Sequence, residues 1–291
     1  MHSHSFTYCP LCNHPHPVDI KGWERAHLAR CKACSFIFAR LIPDESTLMK
    51  HYQGYGRNDF LSPITIKRYH ELLDRFEPFR KTGKILDVGC GIGYFLEEAA
   101  KRGWEVHGTE FTDRAMEICT QKGISMKQGP LNPNLYNPQS FDVITSFEVI
   151  EHINNPHTDI QHFATLLRAG GLVYITTPNF NSLSRIITGN KWNVVTYPEH
   201  LCYYTPRTLR FLFQKHGFDV MHLQTTGISI SRIKISHHIA SAKPVSRESD
   251  DEKIRQMAEN KWYMRMLKDT ANGILTLFKK GDTLKGMFVK K

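Results

Sequence analysis

An apolar run that ends in an acid and then breaks into three alternating glycines constrains this chain more than any other feature. Lys84-Ile-Leu-Asp-Val-Gly-Cys-Gly-Ile-Gly-Tyr-Phe95 puts Asp87 at the close of a predicted strand and Gly89, Gly91 and Gly93 in the turn that follows. Glycine accepts the backbone angles of so tight a turn and, having no Cβ, lets the main chain approach a nucleotide-like ligand. Dinucleotide-binding turns space their glycines G-x-G-x-x-G and seat a pyrophosphate at a helix N-terminus. Here the spacing is G-x-G-x-G, and a carboxylate at Asp87 repels a diphosphate.

The turn therefore suits a nucleoside that carries positive charge. S-adenosylmethionine offers an ammonium and a sulfonium and no phosphate, so it is expected in preference to NAD. The next predicted strand, Trp104-Glu-Val-His-Gly-Thr-Glu110-Phe111, ends in a second acid. At that place in an open doubly wound sheet a carboxylate accepts both ribose hydroxyl hydrogens. Glu110 fills this role, and Phe111 stands where a ring covers adenine. Strands are predicted near 84–88, 104–109, 124–127, 141–147 and 171–177, with helices between them, and this alternation predicts a parallel sheet. A helix at 206–216, a strand at 218–225, a helical insertion over 228–278 and a final strand at 283–289 complete the pattern. Ile66, Tyr69, Leu72, Leu73, Phe76 and Phe79 recur at helical spacing and predict an amphipathic helix laid on the sheet.

KILDVGCGIGYF, the acid of HGTEF, FDVITSFEVIEHI and GGLVYITTPN together resemble class I S-adenosylmethionine-dependent methyltransferases over about residues 60–226. The following HLCYYTPRTLRFLFQKHGFDV resembles the branch that modifies quinones, sugars and polyketides. The resemblance implies an α/β fold with a Rossmann-like, doubly wound, seven-stranded sheet. It also implies cofactor contacts from Asp87, Gly89, Gly91, Gly93, Glu110, Phe111, Leu131 and Phe147. One departure is visible after strand 3. The family often has an acid there for the adenine amino group, but this loop reads Gly129-Pro130-Leu131-Asn132. Adenine recognition falls to Asn132, to backbone, or to packing by Leu131.

Two C-x-x-C pairs, Cys9/Cys12 and Cys31/Cys34, are separated by 18 residues. That spacing predicts a zinc ribbon in which four thiolates close the coordination shell, so the zinc is structural. A module this small has too little core to fold unaided, and the metal supplies the missing free energy. The expected organisation is a ribbon over 1–40, read as a rigid flap or substrate-domain support. A linker over 41–60 follows, with Tyr52 and Tyr55 in a loop that closes over the cofactor, and then the catalytic domain over 61–291. Seven cysteines with no need of a disulfide, no apolar stretch long enough to span a membrane and no signal segment predict a cytoplasmic protein. The net charge of +10 is diffuse and lies partly after residue 240, where a solvated helix face accounts for it.

Catalytic chemistry is expected where strand 4 ends. Glu148, Glu151 and His152 recur at i, i+3 and i+4, and fall on one face if the chain turns helical there. His200, in the loop after strand 5, reaches the same edge of the sheet. Two roles are open. A histidine can accept the proton lost when a hydroxyl or amine is methylated. Alternatively, carboxylates and imidazoles can hold a divalent ion that polarises the acceptor. The resemblance supports both, because E-x-x-E-H is associated with Mg²⁺ in ubiquinone-type O-methyltransferases and in small-RNA 2′-O-methyltransferases. Mg²⁺ is not expected here, because no continuous basic track for a nucleic-acid acceptor is evident. Cys90, Cys119 and Cys202 are assigned no covalent role. The reading is a methyltransferase acting on an oxygen, nitrogen or carbon of a small metabolite or of a glycan or lipid precursor. An RNA 2′-O-methyltransferase and a non-catalytic methyltransferase-like partner protein are the alternatives, and no oligomeric state follows.

Overall fold

Seven strands form the central sheet of the protein, described in a computed structural model over residues 4–44, 47, 61–237 and 262–291. They are β1 (Lys84–Val88), β2 (Glu105–Glu110), β3 (Ser125–Gln128), β4 (Phe141–Phe147), β5 (Leu167–Pro178), β6 (Phe218–Thr226) and β7 (Thr283–Lys290). Their spatial order is β6-β7-β5-β4-β1-β2-β3. Strands β3, β2, β1, β4 and β5 pair in parallel. The five alternating strands are parallel as expected, and β7 runs antiparallel to both β5 and β6. The register gives the reason: Thr226, the last residue of β6, faces Thr283, the first of β7. The intervening chain leaves and re-enters the sheet at one edge, so its second strand has to return in the opposite direction.

Strands β4 and β5 are covered on both faces, which explains why their sequences are nearly continuous apolar runs rather than alternating ones. Neighbouring residues divide between two cores. Leu86, Ile144 and Val173 belong to one, whereas Ile85, Val143 and Leu172 belong to the other. Helix α1 (Pro63–Phe76) starts at Ser62, whose hydroxyl accepts from the Ile64 N–H at 3.2 Å, and buries Ile64, Leu72, Leu73 and Phe76. Helices α2 (Tyr94–Lys101), α3 (Asp113–Gln121) and α4 (Pro156–Leu166) connect successive strands. Beyond β5 come α5 (Leu183–Thr188) and α6 (Pro206–Lys215), the latter opened by a Thr205/Thr208 capping box. Of the expected insertion, α7 (Ile230–Ser236) and α8 (Trp262–Leu277) are helical, while 238–261 lie outside the described residues. Tyr52 and Tyr55 also lie outside them. Among the described residues no helix is long and apolar enough to cross a membrane.

The N-terminal module packs on the catalytic domain. Its strands Val18–Asp19, Leu28–Arg30 and Ile37–Ala39 form a four-stranded antiparallel sheet whose fourth member, Cys202–Tyr203, comes from the loop after β5. Trp23, Ala26, Leu28, Ile37 and Ala39 share one core with Phe180, Trp192, Val194, Val195, Leu201 and Tyr203. The boundary near residue 40 is therefore one of sequence and not of packing. A strand pair contributed by residues about 165 positions apart leaves no local pattern to read.

Candidate active site

The glycine turn lies at the C-terminal edge of the parallel strands, where doubly wound sheets bind ligands. Gly89 and Gly93 both have positive φ, 71° and 75°, and added Cβ atoms would meet Val149 Cγ2 and Ile124 Cδ1 at 2.6 Å. Gly91, φ 55°, has nothing within 4 Å of its Cβ position, so its surface is open to a ligand. Glu110 ties this turn to the end of β2. Its Oε2 accepts from the Gly91 N–H at 2.9 Å and its Oε1 from the Phe111 N–H at 2.8 Å. The two carboxylate oxygens are thereby oriented while keeping lone pairs for further donors.

Asp87 is buried beside this edge, and its Oδ1 accepts from the Thr145 hydroxyl at 2.8 Å. Burial pushes its carboxyl up to about 8; the Thr145 bond opposes the shift and the nearby charge of Glu110 adds to it. A cation brought to this place lowers that value. Phe111 is 39% exposed. Phe147 is half-buried, its ring 5.1 Å from that of Phe95 and 5.6 Å from that of Tyr174. Leu131 is buried in the core. Asn132 uses its Oδ1 to cap the short helix Pro133–Leu135, accepting from the Asn134 N–H at 3.1 Å, which leaves its amide NH₂ as the donor for a ligand.

At the end of β4 the chain turns sharply. Glu148 has φ 54° and donates its N–H to the Thr176 carbonyl at 2.9 Å. Ile150–His152 then form a single 3₁₀ turn rather than an α-helix. The ligand atoms of Glu151, His152 and His200 lie within 4.8 Å of one another, and the charge of Glu148 acts on Glu151. Glu151 is buried and its Oε2 accepts from the Thr177 hydroxyl at 2.8 Å. Its Oε1 has no hydrogen-bond partner among the described residues. Burial, and then the charge of Glu148, raises its pKa well above the ordinary range.

His152 Nδ1 is 3.0 Å from the Glu199 carbonyl, and His200 Nδ1 is 2.7 Å from the Val194 carbonyl. A carbonyl only accepts, so each Nδ1 carries the hydrogen. The rings are 4.7 Å apart and edge-on. Burial, reinforced by His152, holds His200 down at about 4, so it is neutral at pH 7. Sequence reasoning missed Thr145, Thr177 and the carbonyls of Val194 and Glu199. Backbone acceptors carry no residue signature, and threonine inside an apolar strand reads as a β-branched filler.

The four cysteines form a second constellation. Cys9 Sγ lies 3.6 Å from Cys34 Sγ, and Cys12 Sγ lies 3.5 Å from Cys31 Sγ. A tetrahedral shell of Zn–S bonds of about 2.3 Å has edges of about 3.8 Å, so these separations fit one zinc ion and exclude a disulfide. The two knuckles repeat one backbone pattern. Asn13 and Ser35 donate to the Cys9 and Cys31 carbonyls at 2.9 and 3.0 Å, and the Cys9 and Cys31 N–H groups bond the His14 and Phe36 carbonyls, each at 2.9 Å. The Leu11 and Cys34 N–H groups point at the Cys9 and Cys31 sulfurs at 3.4 and 3.5 Å, which favours thiolates.

Comparison with known proteins agrees with this geometry. A family model described as "Methyltransferase domain" matches residues 60–223. A ubiquinone biosynthesis O-methyltransferase from Azoarcus sp. is 32% identical over 105 residues, covering 34% of this chain and 45% of that protein. The matched stretch spans about half the length of such curated relatives. A methyltransferase structure from Archaeoglobus fulgidus superposes with a TM-score of 0.51 at 18% identity, covering 85% of this chain and 100% of that one. A putative sarcosine dimethylglycine methyltransferase from Galdieria sulphuraria gives 0.53 at 17% identity, with 85% and 99% covered. At these identities the structures speak for the fold alone. With the family model matching more than half of its length, the chain belongs to the methyltransferase-domain family and has the fold of class I S-adenosylmethionine-dependent methyltransferases.

Proposed function

We propose that the protein transfers the sulfonium methyl group of S-adenosylmethionine to an oxygen, nitrogen or carbon of a small metabolite or of a glycan or lipid precursor. The observation that carries this reading is the placement, on one edge of one sheet, of the Gly91–Glu110 clamp and of two imidazoles whose Nδ1 atoms face backbone carbonyls. The naming of the relatives for O-methylation in ubiquinone biosynthesis favours a hydroxyl oxygen as the acceptor atom.

When bound, S-adenosylmethionine would supply an activated methyl for direct transfer to the acceptor atom, with S-adenosylhomocysteine as the leaving group. The protein's residues do the rest. Glu110 accepts from the ribose hydroxyls, the glycine turn brings backbone to the amino-acid end, and ionised Asp87 offsets the positive charge. His152 takes the acceptor proton at Nε2, and His200, held neutral, orients the acceptor through its own Nε2 lone pair. The donors Glu151, His152 and His200 also suit a divalent cation, which would polarise an acceptor oxygen held there.

The first test is cofactor binding. Calorimetry is expected to detect S-adenosylmethionine and S-adenosylhomocysteine and not NAD. Glu110→Ala should weaken both by about 1.5–3 kcal/mol, the range for hydrogen bonds to a charged group. Tight NAD binding, or an unchanged affinity in Glu110→Ala, refutes the assignment.

A second test uses Asp87. With its carboxyl raised to about 8, the free protein holds a proton there at pH 7. A cationic ligand prefers the carboxylate, so binding expels that proton and affinity rises with pH up to about 8. Titrations in two buffers of different ionisation enthalpy should show up to about one proton released per cofactor bound, and no release in Asp87→Asn. The sign for stability is the reverse. A raised carboxyl contributes stability that is complete below its ordinary value of 3.8 and is lost as pH rises toward 8, a loss the bound cofactor offsets.

A further inference from the structure

The loop that carries His200 is built on the cysteine ribbon. Ala39, in the ribbon strand Ile37–Ala39, donates its N–H to the Leu201 carbonyl at 2.7 Å, and Leu201 donates its own N–H to the Glu151 carbonyl at 2.7 Å. Leu201 follows His200 and Glu151 precedes His152, so two consecutive backbone bonds run from the ribbon to the neighbours of both histidines. The strand pair Cys202↔Phe38 and Tyr203↔Ile37 continues the same contact. Val194, whose carbonyl sets the His200 tautomer, is buried against ribbon residues including Trp23, Leu28 and Ile37. At the opposite end of the module the Leu11 carbonyl, between the first two cysteines, lies 2.8 Å from His157 Nε2 at the start of α4. His157 Nδ1 in turn lies 2.7 Å from His216 Nε2 at the end of α6.

These bonds have a direction of dependence. The segment 192–204 crosses the sheet edge with little regular structure beyond a two-residue strand, and that strand's partner is the ribbon. The ribbon in turn lacks helices longer than a single turn among its described residues, so metal held by its four gathered sulfurs would add to the ladders and shared core that keep its strands in register. By contrast, the glycine turn and Glu110 stand on β1 and β2, which share no hydrogen-bonded ladder with the ribbon strands; the ribbon meets β1 only through the apolar core that Ala29 and Phe38 share with Leu86 and Val88.

We infer that the cysteine ribbon is a positioning element of the acceptor site: metal held by Cys9, Cys12, Cys31 and Cys34 fixes the 192–204 loop and with it the ring orientation of His152 and His200, while cofactor binding stays independent of it. This rests on the methyltransferase reading only in calling those histidines acceptor-facing.

The test compares the zinc-loaded full chain with Cys31→Ser and with Trp23→Ala. The tryptophan variant keeps all four ligands but removes the ribbon's packing on Phe180, whose ring lies 6.1 Å away. Three readouts are taken: zinc per chain by elemental analysis, S-adenosylmethionine affinity by calorimetry, and imidazole ¹⁵N chemical shifts together with amide exchange of Ala39 and Leu201. Zinc-loaded protein should show both rings as Nδ1–H tautomers and slow exchange at both amides. Cys31→Ser should lose the metal and accelerate exchange at Leu201 by at least about a hundredfold. Its ring signals should move to the mixed tautomers of free histidine, while cofactor affinity changes by less than about threefold. Trp23→Ala should retain the zinc and shift the same signals in the same direction.

Unchanged ring signals and exchange in metal-free Cys31→Ser would overturn the inference. So would loss of cofactor binding in step with zinc, which would make the ribbon a general stabiliser rather than a selective one. Because these readouts need no acceptor, they are separable from the function itself. Absence of cofactor binding in the zinc-loaded chain would instead sink the methyltransferase reading.

Discussion

His152→Ala is expected to lower methyl-transfer turnover by about 10²–10⁴-fold, the range for losing a positioned general base, with S-adenosylmethionine affinity changed by less than about threefold. The split follows from placement, since His152 leans on the Glu199 carbonyl and not on the glycine turn or Glu110. His200→Ala should cost less, because its neutral ring orients rather than accepts. The assay also decides between proton transfer and metal chemistry at Glu151, His152 and His200. If the base reading holds, EDTA leaves the rate unchanged and the pH profile loses its limb near the histidine range in His152→Ala. If a cation is held there, Glu151→Ala, His152→Ala and His200→Ala are each crippling, and EDTA abolishes activity until Mg²⁺ is restored. That second pattern would overturn the metal-free reading.

Asp142→Ala is expected to lower global stability by about 3–5 kcal/mol, the cost of breaking a buried charge pair from one side. Asp142 is fully buried at the start of β4. Its Oδ2 accepts from the N–H groups of Lys81, Thr82 and Gly83 at 2.8, 2.7 and 2.7 Å, and its Oδ1 accepts from Arg168 Nε at 2.6 Å. Burial by itself raises a carboxyl, yet Arg168 and the amides hold this one below its ordinary value. Removing it strands three backbone donors and a guanidinium that also bonds the Phe79 carbonyl. Urea unfolding followed by circular dichroism measures the effect, and a loss below about 1 kcal/mol would contradict it. A depressed carboxyl contributes stability that is present above its unfolded pKa and lost as pH falls, so this clamp weakens under acid.

The strands and the glycine turn were legible in the chain because local rules decide them. A strand buried on both faces is a continuous apolar run, and a turn with φ near 70° at Gly89 and Gly93 selects glycine, since a Cβ there meets Val149 or Ile124. Glu110 was legible from its distance to Asp87, because one strand–helix–strand crossover has a narrow range of lengths. The antiparallel course of β7 was not, since direction depends on where the 227–282 segment re-enters the sheet. Nor was the arrangement after β4. Acids and histidine three and four apart suggested one helical face, but the chain forms a single 3₁₀ turn after a positive φ at Glu148, and His200 reaches Glu151 and His152 from a distant loop.

By itself the sequence determined the fold family, the glycine turn with its two acids, and the four sulfurs at zinc-knuckle spacing, all set by contacts within a few residues or by one crossover. Only the tertiary structure decided that the ribbon supplies three strands of a sheet completed by Cys202–Tyr203, and that carbonyls of Val194 and Glu199 set both imidazoles. Those pairings join segments far apart in the chain through backbone groups, and every residue carries the same backbone groups whatever its side chain.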